Sequence, residues 1–161
     1  MAAITWTETL ALQQPRMDTT HREFVDLLNT LEQALEGPLD ALKAALDRFT
    51  EHTVAHFAQE DAWMAQLGFA TENCHGFQHQ SVLQVVQEVQ RRLHADAADV
   101  SLVRELVPGL AQWFPIHAQS MDAALAMTMQ EHGFDPETGS FARALDAGAA
   151  PITGCGGSSC G

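Results

Sequence analysis

The sequence predicts an all-α protein, an antiparallel up-down-up-down four-helix bundle with an N-terminal arm and a Gly-rich C-terminal tail. Three observations indicate this fold. Apolar residues recur with the helical period in four long segments, Gly and Pro residues separate these segments, and strand patterns are nearly absent. Long amphipathic helices joined by short links are typical of such a bundle. The chain has 161 residues, of which 46% are hydrophobic, and this is enough to build the core of one domain.

The N-terminal region is predicted to be an arm followed by the first helix. Residues 1–17 show no sustained helical period, and we expect them to pack Ile4, Trp6 and Leu10 against the bundle. Residues 18–20 (DTT) are good N-cap residues for the helix that follows.

Glycine and proline set the remaining helix boundaries. Gly37 and Pro38 end the first helix and begin the second, because Gly favours a helix end and Pro is tolerated in a first turn. We expect Gly68 to end the second helix and Thr71 to cap the third. The predicted second, third and fourth helices end near residues 67, 94 and 131.

The chain divides into a bundle domain and a tail. We expect the bundle over residues 1–133 and a flexible, poorly packing tail over residues 134–161, which is Gly/Ala-rich and ends GCGGSSCG. Cys155 and Cys160 form a CxxxxC pattern in this tail. A simple tail, a redox switch and a metal-transfer arm all stay open as interpretations.

Charge excludes several classes of partner. Eight Lys and Arg against 21 Asp and Glu give a net charge of −13, which repels nucleic acid and anionic membrane surfaces. An apolar run of membrane-spanning length and a leader-like N-terminus are both absent from the sequence. The odd number of cysteines does not resemble a secreted disulfide scaffold. We therefore expect a cytoplasmic monomer without nucleic-acid or membrane partners.

Potential metal ligands occur on all four predicted helices. The set is His21 on the first helix, His56 and Glu60 on the second, His75 and His79 on the third, and His117 and Asp122 on the fourth. A single histidine on an apolar face is more often a core residue than a ligand. Here every set lies on an apolar stripe, where polar groups without partners would cost several kcal/mol, on the order of 2–7 each. Five imidazoles and two carboxylates are the donors that two divalent ions need, so the sequence predicts a dinuclear metal centre.

The pattern His…HxxxE…HxxxH…HxxxxD resembles the hemerythrin family, and bacterial single-domain hemerythrins in particular. The resemblance covers residues 4–132: ITWTETL and RMDTTHREFVDLLNTL are similar to the family's opening, HTVAHFAQEDAWM to its second helix, and WFPIHAQSMD to its fourth. It implies a non-haem diiron centre (Fe2+/Fe3+) that binds O2 reversibly for carriage, storage or sensing. It further implies one iron on His75, His79 and His117 and the other on His21 and His56, with Glu60, Asp122 and an oxo or hydroxo group as bridges.

Other functions are compatible with the same ligands. A diiron redox enzyme (a peroxidase, a ferroxidase, or a peroxide or nitric-oxide detoxifier) could use Cys155 and Cys160 as electron donors. A protein redox or oxygenase partner would fit either reading. An iron-repair role is weaker, since related repair proteins usually carry their extra cysteines at the N-terminus. A ferritin-like carboxylate site needs two ExxH motifs, and only Glu72-x-x-His75 matches. An O2-binding protein that is not an enzyme is our leading interpretation.

The five-residue spacing between His117 and Asp122 predicts a distorted helix. In a regular α-helix five residues rotate by about 140°, which would point the two side chains apart. A π-bulge corrects this, and Pro115, which lacks a backbone donor, favours the distortion. We therefore expect an irregularity between Phe114 and Asp122.

Several other residues lie near the predicted ligands. His52 is one turn before His56 and is interpreted as a boundary histidine, with a hydrogen-bonding or ligand role as the alternative. Cys74 directly precedes His75 near a helix start, where a thiolate is favoured. Aromatic and methionine side chains within one turn of ligands are expected to pack and to keep the site dry: Phe57, Trp63, Trp113 and Met121.

Overall fold

The computed structural model describes residues 2–143, 145 and 148–153, and it confirms the all-α fold. The helices are α1 (Pro15–Ala34), α2 (Leu39–Gln66), α3 (Cys74–Ala95), α4 (Val100–His117) and α5 (Ala123–His132). A π-helical turn, Ala118–Asp122, joins α4 to α5 without a break, so these two form the fourth long helix. Short 3-10 turns lie at Glu8–Leu10 and Ala97–Asp99.

Two of the predicted helix starts were wrong. Helix α1 begins at Pro15, inside the predicted arm, because the side chain of Gln14 accepts a hydrogen bond from the Met17 N–H and Pro15 fits the first turn. Helix α3 is capped by Asn73, whose side chain accepts from the Gly76 N–H, and not by Thr71. The other boundaries agree with the sequence, including a left-handed Gly133 after α5 at φ +56°.

The rest of the arm packs as expected. Ile4 and Leu10 are buried, and Trp6 packs against the core while Arg22 lies 4.8 Å above its ring. The backbone of Ile4 both donates to and accepts from the side chain of Asn29, at 3.1 and 2.8 Å. These bonds tie the arm to α1.

Two apolar clusters make up the core. The larger includes Phe24, Leu28, Phe49, Val86 and Phe114, and the smaller includes Met17, Trp63, Met64, Leu125 and Met129. Helices α1, α2 and the α4–α5 helix each contribute to both clusters, so each passes from one to the other. The up-down-up-down order of the helices stays a prediction. No helix in the described part of the chain is both long and apolar enough to span a membrane.

Part of the segment after α5 packs on the bundle, which differs from the expected poorly packing tail. Strand β1 (Phe134–Asp135) pairs antiparallel with β2 (Ser140–Phe141), and Phe134 is buried in the smaller cluster. Further along, the backbone of Ile152 donates to Gly68 and accepts from Ala70. The aromatic rings of Phe134 and Phe141 provide the apolar surface that the Gly/Ala content did not indicate. Cys155 and Cys160 lie outside the described residues.

Candidate metal centre

The seven predicted ligands form one buried layer between the two apolar clusters. On α1, His21 lies between Met17 of the smaller cluster and Phe24 of the larger one. On α2, His56 and Glu60 lie between Phe49 of the larger cluster and Trp63 of the smaller one. All seven side chains belong to residues with at most 4% of their surface exposed. The structure therefore brings together every residue that the spacing singled out.

Glu60 contacts histidines from three helices. Its Oε1 lies 3.0 Å from His56 Nε2 and 3.5 Å from His21 Nε2. Its Oε2 lies 3.5 Å from His75 Nε2 and 3.3 Å from His79 Nε2. One carboxylate oxygen thus faces the histidines of α1 and α2, and the other faces those of α3.

Asp122 spans the site in the same way. Its Oδ2 lies 3.2 Å from His21 Nε2, whereas its Oδ1 lies 3.0 Å from His75 Nε2 and 3.1 Å from His117 Nε2. Glu60 and Asp122 thus each contact a histidine of α1 and a histidine of α3, as carboxylates that bridge two ions would.

The π-helical turn delivers Asp122 to this position and confirms the predicted irregularity. The Ala123 N–H bonds to the Ala118 carbonyl five residues back, which widens the turn and returns Asp122 to the face of His117. Within this turn Ser120 donates its hydroxyl to the carbonyl of Ile116, which lies just before the turn, at 2.6 Å.

The two buried carboxylates favour positive charge in the site. Burial opposes charge on His21 and His75, but their close contacts with the negatively charged Asp122 and Glu60 outweigh it and raise their pKa values to about 10 and about 9. Burial likewise opposes charge on Glu60 and Asp122, and the surrounding imidazoles still hold both pKa values well below the usual range. Without a metal, protons on histidine balance the two carboxylates, and cations can replace those protons.

Two residues that the sequence analysis missed hold the outer nitrogens of the histidines. Asp61 Oδ1 lies 2.9 Å from His79 Nδ1, and Gln78 Oε1 lies 2.9 Å from His117 Nδ1. Metal-binding histidines commonly donate their second nitrogen to such acceptors. Asp61 directly follows Glu60, so the adjacent carboxylates of the sequence ED were the available signal. Gln78, a neutral side chain that directly precedes His79, offered no such signal.

Aromatic rings enclose the site. Phe57 stacks on His79 with ring centroids 4.0 Å apart, and Trp113 stacks on His117 at 4.4 Å. The ring of Phe114, which is fully buried, lies perpendicular to that of His21, with ring centroids 5.3 Å apart. Of the four side chains expected to pack near ligands, Phe57 and Trp113 contact them directly, while Trp63 belongs to the smaller apolar cluster and Met121 is buried beside Asp122.

The remaining singled-out residues lie outside the layer. The exposed fraction of the His52 side chain is 15%, and its ring centroid is 5.9 Å from that of His56, as fits a boundary residue. His52 does not belong to either potential metal-binding group among the described residues. Cys74 is half-buried at the first position of α3, with its Sγ 3.9 Å from the Thr153 carbonyl oxygen.

The donors present fit a pair of metal ions. Two groups have ligand atoms within 4.8 Å of one another and could hold an ion: Glu60, His75, His79, His117 and Asp122 in one, and His21, His56 and Glu60 in the other. Within the described residues, several of their buried inward atoms have no hydrogen-bond partner, among them His21 Nε2, His75 Nε2 and both oxygens of Asp122. Buried polar atoms without partners are costly, and coordination to a cation would satisfy them.

Comparisons with known proteins agree with this geometry. Residues 14–128 match the sequence model of the hemerythrin HHE cation binding domain, a range that contains all seven layer residues. The chain is 38% identical to a bacteriohemerythrin of Ralstonia nicotianae over 135 residues, 84% of this chain and 95% of that protein. It is also similar to bacteriohemerythrins of Methylococcus capsulatus (26% identity, 76% of this chain and 93% of that protein) and Stenotrophomonas maltophilia (28%, 82% and 85%). The chain belongs to the hemerythrin family.

Proposed function

We propose that the seven-residue layer holds two non-haem iron ions and that the protein binds O2 reversibly, as a carrier, a store or a sensor component. The observation that carries this proposal is the placement of Glu60 and Asp122, each of which contacts histidines from both groups. Bridging carboxylates within a histidine-rich donor set suit a pair of iron ions. Membership of the hemerythrin family supports the same metal.

Each side chain has a role in this proposal. His75, His79 and His117 would hold one ion, His21 and His56 the other, and Glu60 and Asp122 would bridge them together with an oxo or hydroxo group. When bound, the ferrous pair supplies the coordination and the electrons for reversible O2 binding. Within the described residues the metal-binding layer contains two carboxylates, and we infer that this small negative charge stabilises oxidised iron weakly and so favours release of O2.

Exclusion of water is the second contribution of the chain. Phe57 and Phe114 are buried against His79 and His21, and Phe24 stacks on Phe114 with centroids 4.5 Å apart. An apolar surround admits O2, which is itself apolar, and limits the supply of protons that would promote irreversible chemistry.

Optical spectroscopy tests the proposal. The iron-loaded protein is reduced without oxygen, and its spectrum is recorded before O2 is added, after addition, and after removal. An absorption band that appears with O2 and disappears on its removal is the expected result. Irreversible conversion with consumption of O2 would overturn reversible binding in favour of a redox enzyme, and failure to bind iron would overturn the metal assignment.

A pair of variants tests the ligand assignment. His56→Ala should lose one of the two ions and the whole response to O2, as measured by iron content and the same spectra. His94→Ala is the matched control, because His94 is a partly exposed histidine that pairs with Asp47 away from the layer. Full O2 binding by His56→Ala would contradict the assignment.

A further inference from the structure

We propose that Gln78 is a positioning residue that fixes the imidazole of His117, and that Trp113 in turn fixes the amide of Gln78. The contact network joins α3, which carries Gln78, to α4, which carries the other two residues. The inference rests on the proposed function in one respect, namely that His117 Nε2 is a metal donor.

The indole of Trp113 determines which end of the amide faces inward. Its Nε1 lies 3.3 Å from Gln78 Oε1. An indole nitrogen can only donate a hydrogen bond, so the atom of Gln78 that it meets must be the oxygen. Amide oxygen and nitrogen are otherwise hard to tell apart by shape, and the donor-only indole removes that ambiguity.

The oriented amide then determines where His117 carries its proton. Gln78 Oε1 also lies 2.9 Å from His117 Nδ1. An amide oxygen only accepts, so His117 Nδ1 must donate. In a neutral imidazole the other nitrogen then has a free lone pair.

That second nitrogen faces the ligand layer. His117 Nε2 lies 3.1 Å from Asp122 Oδ1 and 3.2 Å from His79 Nε2. The chain of contacts from Trp113 through Gln78 therefore presents a lone pair at the place where a metal donor is needed. The opposite amide orientation would set its N–H group against Nδ1 and favour a proton on Nε2.

Stacking completes the constraint on the ring. Trp113 and His117 are four residues apart on α4, and their planes meet at 26° with centroids 4.4 Å apart. Stacking fixes the plane of the imidazole, and the hydrogen bond from Nδ1 to Gln78 fixes its rotation within that plane. Since Gln78 is neutral, it orients His117 without adding charge, unlike Asp61 at His79.

The experiment compares three variants with a control. Gln78→Leu removes the acceptor, Gln78→Glu keeps an acceptor, and Trp113→Phe removes the indole N–H while keeping an aromatic ring for stacking. Gln87→Leu, an exposed glutamine on the same helix, is the matched control. Far-UV circular dichroism and urea unfolding of each variant report whether it folds.

Two readouts separate positioning from general packing. Nitrogen-15 NMR of the metal-free protein, above the ordinary histidine pKa of about 6.5, reports which nitrogen of His117 is protonated. Transfer of Zn2+ from the loaded protein to a chelator reports how firmly the site holds metal. We expect a protonated Nδ1 in the parent protein and in Gln78→Glu, a mixed tautomer in Gln78→Leu, and Zn2+ loss about 10–100-fold faster in Gln78→Leu. Trp113→Phe should shift both readouts less, in the same direction.

The outcomes distinguish this inference from the proposed function. An Nδ1 without a proton in the parent protein, or a Gln78→Leu variant with unchanged tautomer and unchanged Zn2+ loss, overturns the role of Gln78 and leaves the metal centre standing. A parent protein that binds no metal overturns the proposed function, whereas the NMR result still decides the orientation of His117.

Discussion

The histidines of α3 and α4 differ from those of α1 and α2 in what holds their outer nitrogens. His79 and His117 each have a polar acceptor at Nδ1, supplied by Asp61 and Gln78. These acceptors lie outside the layer, and both are partly reachable by solvent. Hydrogen bonds therefore help to orient two of the three histidines on this side, together with the stacked rings of Phe57 and Trp113.

The other side depends on packing. In the described part of the chain the Nδ1 atoms of His21 and His56 are buried without a hydrogen-bond partner. Their ring centroids lie 5.1 Å apart, and the ring of His21 packs perpendicular to that of Phe114. Each buried nitrogen without a partner costs about 1–3 kcal/mol, which the surrounding contacts must offset. We infer that loss of a polar acceptor mainly weakens the α3–α4 side of the site, and that loss of side-chain volume mainly weakens the α1–α2 side.

The largest effect should come from the carboxylate that both sides share. Glu60→Gln keeps the shape of the side chain but removes the charge that faces four imidazoles. Because both groups of histidines lose a bridging ligand, we expect neither side to retain a tightly bound ion, as measured by metal content after gel filtration. Glu88→Gln, which alters an exposed pair with Arg91, serves as the control. Retention of one ion would show that the two sides are independent.

Loss of volume should affect the α1–α2 side and the fold together. Phe114 is fully buried, stacks on Phe24 and contacts His21. Phe114→Ala should lower the free energy of unfolding by about 3–5 kcal/mol in urea titrations. Phe77→Ala, at a side chain with 71% of its surface exposed, should change it by less than about 0.5 kcal/mol. Equal effects of the two substitutions would contradict the packing argument.

The stability of the metal-free protein should depend on pH through one histidine from each side of the site. The pKa values of His21 and His75 are raised from 6.5 to about 10 and about 9, so their stabilisation is complete below pH 6.5 and is lost as pH rises through 9 and 10. Glu60 and Asp122 have lowered pKa values, so their contribution is lost only in acid. We expect the free energy of unfolding, measured with chelator present, to fall between pH 6.5 and pH 10.

Bound metal should reverse this fall in the free energy of unfolding. Metal ions compete with protons for the same histidine nitrogens, so they bind more tightly and stabilise the fold more as pH rises. His94→Ala should leave the pH trend of the metal-free protein intact. A metal-free protein that becomes more stable across this alkaline range would show that the two histidines are not protonated.

The smallest effect should come from the exposed acceptor on the α3–α4 side. Asp61 bonds to His79, but 47% of its side chain is exposed, so water can replace part of the interaction. We expect Asp61→Ala to speed Zn2+ transfer to a chelator by about 10-fold, the low end of the range for such partners. An effect larger than that of Gln78→Leu would reverse the ranking of the two acceptors.

Local patterns account for much of the fold and of the layer. The helical period and the Gly and Pro residues located the long helices, since both act within a few residues along the chain. The spacing of histidines and carboxylates located all seven layer residues, and the five-residue interval to Asp122 located the π-helical turn. The helix starts were less predictable, because Gln14 is not a residue type that commonly caps a helix and Asn73 competes with Thr71 nearby.

Contacts between distant segments account for what the sequence did not show. Asp61 and Gln78 gain their roles by facing rings 18 and 39 residues away, and no spacing along the chain encodes such a meeting. The packing of Phe134 and the pairing of Ile152 with the loop after α2 depend in the same way on where other elements lie.

The sequence by itself determined that helices would form and that five imidazoles and two carboxylates would lie on their apolar faces, because the periodicity of apolar residues is a property of each helix alone. Only the tertiary structure decided that Glu60 and Asp122 would each contact both groups of histidines, and that hydrogen bonds help to orient His79 and His117 while packing orients His21 and His56. The physical reason is the separation along the chain of the residues that interact. Helix formation depends on neighbours three and four residues away, whereas the orientation of a buried ring depends on whichever side chains the packed helices bring against it.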